Sequence, residues 1–129
     1  VLRLSKAEAE KMFGKGTEKN PKYRNKKCQW MGIQFDSIRE RDRYIVLADQ
    51  EKHGIISDLR RQVRFQLVPD QWHNGKLVER KVEYVADFVY TDSFGQTIVE
   101  DSKGFRKNPV WIIKRKLMLD KYGIRVREV

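Results

Sequence analysis

The chain has 129 residues, 40% hydrophobic and 36% charged, the size of one compact domain with a modest core beneath a heavily charged surface. No run approaches the ~20 apolar residues of a membrane-spanning helix, and the amino end lacks the pattern of a secretory signal. Cys28 is the only cysteine, so no intrachain disulfide can form and the expected compartment is a reducing cytoplasm.

The formal charge of +10 is unevenly spread. Residues 1–27 carry nine Lys/Arg and three Glu, a net +6, and residues 103–129 carry nine Lys/Arg and two acids, a net +7. The centre, 28–102, is therefore 10 − 6 − 7 = −3. Basic ends around a slightly acidic middle suit a phosphate-binding surface with an acidic site inside it.

In chain order, Ser5 with Glu8 three residues on forms a capping box for a short helix over 6–13, which Gly14 stops. Residues 15–27 read as a basic connector, either solvated or tracking a phosphate backbone through Lys22, Arg24, Lys26 and Lys27. The division expected is a basic N-terminal segment, 1–27, and a folded domain, 28–129. Gln29 to Phe35 is a short strand or an extended lead-in. A helix follows, capped by Asp36 or Ser37 and ended at Gly54. Ile38, Tyr44, Ile45, Leu47 and Ala48 make its apolar side. Glu40 lies at the edge of that side and also stands three residues after Ser37, the position of a capping-box partner.

Leu59 to Val68 alternates apolar with polar residues and is a strand with Leu59, Arg61, Val63, Phe65 and Leu67 on one face. Asn74-Gly75 marks a tight hairpin turn, and Trp72 beside it is expected in the core or at its rim. Tyr84–Tyr90 and Thr97–Lys103 are two more strands around a turn marked by Asp92, Ser93 and Gly95. Alternation puts Val85, Asp87 and Val89 on one face, and Val99, Asp101 and Lys103 on one face, with Glu100 on the other. Asn108-Pro109 starts a second long helix that ends at Gly123, with Val110, Ile113 and Leu117 as its core stripe. Ile124–Val129 can add an edge strand. The order implies a mixed α+β domain with helices packed on a central sheet.

The paired strands from Tyr84 to Gly104 carry the chemistry. Two carboxylates and an ammonium on an otherwise apolar face are costly unless paired or bound to a metal. Asp87 and Asp101 can hold a hard divalent cation, and Lys103 can orient a water and stabilise developing charge. An ordinary ion pair, Asp101 with Lys103 or across the strands, accounts for the same spacing. His53 and His73 have no cysteine partner nearby and do not suggest zinc. No Gly-rich phosphate loop precedes a helix.

Asp87, followed after a hairpin by Asp101-Ser102-Lys103, resembles the signature of the PD-(D/E)xK nuclease superfamily. The ordered set F-D-S-I-R-E-R-D-R-Y (35–44), Y-V-A-D-F-V-Y (84–90), V-E-D-S-K-G-F (99–105) and I-K-R-K-L (113–117) resembles a small phage- and prophage-encoded endonuclease-like family within it. The resemblance spans roughly residues 23–122. It implies a restriction-endonuclease-like fold, a four-stranded mixed sheet flanked by helices. It also implies a Mg2+- or Mn2+-dependent endonuclease acting on phage or prophage DNA, cytoplasmic in a bacterial host. Asp87 and Asp101 would be metal ligands, Lys103 the catalytic lysine and Glu40 the acidic residue of the first helix, completing the metal shell. Lys107, Lys114 and Lys116 would approach DNA, with Lys114 or Lys116 supporting the site. Ala86 stands where many relatives have proline. Cutting both strands commonly needs two active sites, which a homodimer or a paired encounter would supply. The other reading is a non-catalytic basic DNA-binding module on the same scaffold.

Overall fold

The computed structural model describes residues 26–102 and 108–129. The expected helix over 6–13 lies outside them, as do Lys22, Arg24, Lys103 and Lys107. The chain divides into two compact units, Val1–Ile38 and Arg39–Val129.

In the first unit, the stretch read as a strand or lead-in is a hairpin. Strands β1 (Cys28–Trp30) and β2 (Ile33–Phe35) pair antiparallel around Met31-Gly32. Both turn residues have positive φ, 48° and 77°, the geometry that matches the twist of a two-residue hairpin. Cys28 Sγ donates to the Ser37 carbonyl at 3.4 Å, so the thiol closes the segment after the hairpin.

The second unit is a three-layer arrangement built on a mixed four-stranded sheet. Helix α1 (Ile38–Lys52) leads into β3 (Ser57–Val68). A small hairpin follows, β4 (Gln71–His73) and β5 (Lys76–Glu79), then β6 (Val82–Thr91) and β7 (Thr97–Asp101). Helix α2 (Pro109–Tyr122) and the short β8 (Arg127–Glu128) complete it. The sheet order is β3-β6-β7-β8, antiparallel except for the parallel pair β7–β8. The expected mixed sheet flanked by helices is present, with the expected edge strand at its border.

Local chemistry explains the punctuation. Asp92 accepts the backbone N–H groups of Phe94 and Gln96, both at 2.9 Å, and so builds the turn between β6 and β7. Asn74 and Gly75 have φ of 51° and 76°, as their dipeptide requires. Asn108 accepts from Val110 N (2.9 Å) and Trp111 N (3.4 Å), with Pro109 at the first helical position of α2. Gly123 ends α2 at φ 66°, donating to Leu119, while Ile124 N reaches back to Met118.

The two faces of the sheet carry separate cores. Leu47 of α1 joins Ile56, Phe88, Tyr90 and Ile98 on one side. Met118 of α2 joins Leu67, Tyr84, Ala86, Val89, Val99 and Val126 on the other. Burial of side chains such as Leu47, Phe88 and Met118 contributes about 1.5–3 kcal/mol each, and this anchors both helices.

Three sequence expectations need correction here. The core stripe of α2 is Trp111, Leu117 and Met118, whereas Val110 and Ile113 are 40% and 57% exposed. Leu117 packs as expected, and Trp111 and Met118 join it in place of Val110 and Ile113. Ile38 is likewise exposed on α1. Trp72 is 65% exposed, because the β4–β5 hairpin forms its own two-stranded sheet away from both cores.

The fourth correction concerns alternation. Leu59 packs in the α1-side core, yet Val63, Phe65 and Leu67 pack on the α2 side, although all four are odd-numbered. Opposite them, Tyr84 and Ala86 face α2 while Phe88 and Tyr90 face α1. Both strands therefore exchange faces, β3 at Gln62 and β6 between Ala86 and Phe88. Gln62 has φ 52°, a left-handed conformation that costs a non-glycine residue of order 1–3 kcal/mol. The ladder register runs Arg61↔Phe88 and then Val63↔Ala86, so Gln62 and Asp87 stand opposite each other at this crossover.

Candidate functional site

The acidic residues meet where the crossover lies. The register Phe88↔Glu100, carried one residue further, sets Asp101 opposite Asp87. Side chains so placed across antiparallel strands have Cβ atoms about 4.5–5.5 Å apart. Both carboxylates are buried, Asp87 at 1% exposure and Asp101 at 6%.

Asp87 Oδ2 accepts the Ser102 backbone N–H at 2.9 Å and the Ser102 hydroxyl at 2.8 Å. Its Oδ1 accepts Gln62 Nε2 at 3.3 Å. All three donors are neutral, and among the described residues no cationic side chain pairs with Asp87. A buried carboxylate beside a second one is the charge arrangement that burial penalises most.

Asp101 Oδ2 accepts the Tyr84 hydroxyl at 2.8 Å. Burial first, and then the Asp101 and Asp87 carboxylates, push the Tyr84 phenol far above its ordinary range. It therefore stays a proton donor toward Asp101 at any working pH. The Asp101 carbonyl accepts Val129 N at 2.9 Å, tying its backbone to the segment after β8.

Glu40 enters from α1. It is 1% exposed and shares the inward stripe of the helix with the fully buried Leu47. Gln62 Nε2 donates to its Oε1 at 3.0 Å, and Arg61 Nη2 lies 3.4 Å from the same oxygen. Arg61 also lies over the Tyr44 ring, 5.7 Å from its centroid. One amide thus links Glu40 to Asp87. None of Gln62, Arg61, Ser102 and Tyr84 was singled out from the sequence, since each becomes a site residue only through pairing between distant segments.

Glu100, next to Asp101, faces the other core. Arg43 grips it with two bonds of 2.7 Å, Nε to Oε1 and Nη2 to Oε2, and Tyr90 donates its hydroxyl to Oε2. The Glu100 hydrogen bond raises the Arg43 guanidinium further above its usual value. Burial, then the bond to Glu100, push the Tyr90 phenol up to about 12. The separation of Glu100 from Asp101 expected from alternation holds in β7, which has no irregularity against β6.

The remaining sequence candidates are spread out. Lys26 and Lys27 are exposed before β1, Lys116 is exposed on α2, and Lys114 is half-buried on α2. Lys22, Arg24, Lys103 and Lys107 lie outside the described residues. Among the described residues no group of three or more His, Cys, Asp or Glu side chains is placed to hold a metal, so Glu40 does not join Asp87 and Asp101 in such a cluster. Mg2+ needs less than that, since it is usually held by one or two carboxylates and keeps several waters. The all-oxygen pair Asp87 and Asp101 fits a cation of that type.

Among the described residues no helix is long and apolar enough to cross a membrane. No curated protein and no solved structure matches the chain. Residues 20–128 match the family model described as "Protein of unknown function (DUF1064)". With its acidic crossover and both helices inside the matched span, the chain belongs to the DUF1064 family.

Proposed function

We propose that the protein is a metal-dependent DNA endonuclease of PD-(D/E)xK type, with a restriction-endonuclease-like fold. The observation that carries this reading is the buried Asp87–Asp101 pair, in which Asp87 is balanced by no cation among the described residues. A buried pair of carboxylates is stable when a cation shares it. The mixed sheet with a helix on each face and the basic chain ends agree with the same reading.

Asp87 and Asp101 would hold Mg2+ or Mn2+, which supplies charge neutralisation at the phosphate and lowers the pKa of a bound water. Ser102 and Tyr84 keep the two carboxylates oriented. Gln62 links Glu40 to Asp87, and Glu40 would order a water beside the pair. Lys103, outside the described residues, would orient the attacking water and stabilise charge that develops on the phosphate oxygens. Water adds to phosphorus and gives up a proton, while the ester P–O bond breaks and its oxygen leaves with a proton. Phage or prophage DNA processing or recombination is the setting this chemistry suits.

Purified protein with magnesium or manganese, on branched, linear and single-stranded DNA, tests the proposal. Cleavage should fall at least ~100-fold in Asp101→Ala and Lys103→Ala while DNA binding persists. Full activity in both variants excludes the mechanism.

A second reading is favoured by the neutral donors on Asp87, whose oxygens already accept three hydrogen bonds. In a non-catalytic DNA-binding module those bonds would serve only to close the end of β7. That module would bind DNA in a salt-sensitive manner and cut nothing in any divalent metal.

A further inference from the structure

A trough of about 1470 Å³ runs between the C-terminal half of α2, the start of β7 and β8, with neither Asp87 nor Asp101 in its lining. It is larger than the ~300–1,000 Å³ typical of small-molecule pockets and suits a chain better than a compact ligand. Three guanidiniums line it, Arg115, Arg125 and Arg127, and none makes an ion pair among the described residues. The one acid in its wall, Glu128, already accepts Trp111 Nε1.

The trough also has an aromatic wall. Tyr122 is 40% exposed, and its position is held from behind by its hydroxyl on the Gln66 carbonyl at 2.7 Å and by the edge-on Phe65 ring at 5.4 Å. Lys121 adds a cation 5.6 Å from the centre of the same ring. Gln96 at the far side offers an amide for polar contacts. Unpaired cations along a groove with a fixed, partly exposed aromatic ring are the features with which proteins hold single-stranded nucleic acid, the cations following phosphates and the ring stacking on a base.

We infer that this trough binds a single-stranded nucleic-acid segment through its sugar–phosphate backbone, as a site separate from the Asp87–Asp101 pair. An acidic peptide would use the cations but would gain nothing from the ring.

The test is fluorescence anisotropy of the full chain in EDTA. The probes are a labelled single-stranded oligonucleotide and a duplex of the same length, titrated across salt. The variant Arg115→Gln/Arg125→Gln/Arg127→Gln is compared with Lys52→Gln/Lys76→Gln/Arg80→Gln, which removes the same charge from exposed positions elsewhere. Circular dichroism confirms that both fold, and Tyr122→Ala reads the stacking contact. The trough variant should bind the single strand roughly 10–100-fold more weakly, with a log–log salt slope shallower by about 2, as expected for three lost phosphate contacts. The charge-matched variant should change little. The inference fails if both variants lose equally, if neither loses, if the duplex is affected as much as the single strand, or if poly-glutamate competes as well as the oligonucleotide. The difference between the two variants in EDTA reads the trough and cleavage with magnesium reads the carboxylates, so either can fail without the other.

Discussion

Gln62 and Asp87 face each other where β3 and β6 both exchange faces, and the Gln62 amide joins Asp87 Oδ1 at 3.3 Å to Glu40 Oε1 at 3.0 Å. A backbone irregularity and a polar bridge thus occur at one residue. Strain held at a single point is commonly found where a side chain must be aimed at a site.

This gives a stability prediction with a distinct sign. At φ 52° glycine is unstrained and alanine is not. Gln62→Gly should therefore be more stable than Gln62→Ala by about 1 kcal/mol, the reverse of the order in an ordinary strand. Both should lose the link to Glu40 and with it most cleavage. Urea denaturation of the two variants checks it, and an alanine variant as stable as the glycine one would contradict the assigned backbone.

Glu100 is 1% exposed and depends on Arg43, whose side chain is 30% exposed. Arg43→Met leaves a buried carboxylate without its cation and should cost roughly 3 kcal/mol, the lower end of the range for such a break because Arg43 is partly solvated. Arg43→Met combined with Glu100→Leu should recover much of that loss. A double-mutant cycle in chemical denaturation measures the coupling, and simple additivity would show that the pair contributes nothing.

Tyr90 fixes an alkaline limit. In the folded state its phenol is pushed up to about 12 from the ordinary 10.0, first by burial and then by the bond to Glu100. Its neutral form is therefore the one that folding favours. The stability it contributes is fully present below pH ~10 and is lost as pH rises through the folded value. Between those limits wild type should lose stability with a steeper slope than Tyr90→Phe. Equal slopes in urea melts across that window would remove the phenol from the linkage.

The metal proposal predicts a stability effect independent of cutting. Magnesium or manganese should raise the melting temperature of wild type, because the folded state alone brings Asp87 and Asp101 together. In Asp101→Asn the shift should vanish, although the new amide oxygen can still accept the Tyr84 hydroxyl. A metal-induced shift that survives in Asp101→Asn would place the cation elsewhere.

The turn at Asp92–Gln96, the Asn108 cap, the Gly123 stop and the Asn74-Gly75 hairpin were all legible in the sequence, because each is decided by residues within a few positions of one another. The acidic pair and Glu40 could be named from the sequence, and the residues that organise them could not. Gln62 reads as an ordinary polar position in an alternating strand, and period-two alternation carries no sign that the faces will exchange. That exchange requires β3 and β6 to break opposite each other, a condition set by register across residues far apart in the chain. The inward stripe of α2 was misplaced for the same reason. Several of its faces are apolar enough to be buried, and only packing against the sheet selected Trp111 and Met118 over Val110 and Ile113. By itself the sequence determined the elements, their ends and the charged groups available. Tertiary structure decided which of those groups share a buried space, because burial and pairing depend on contacts between strands and helices that local patterns do not encode.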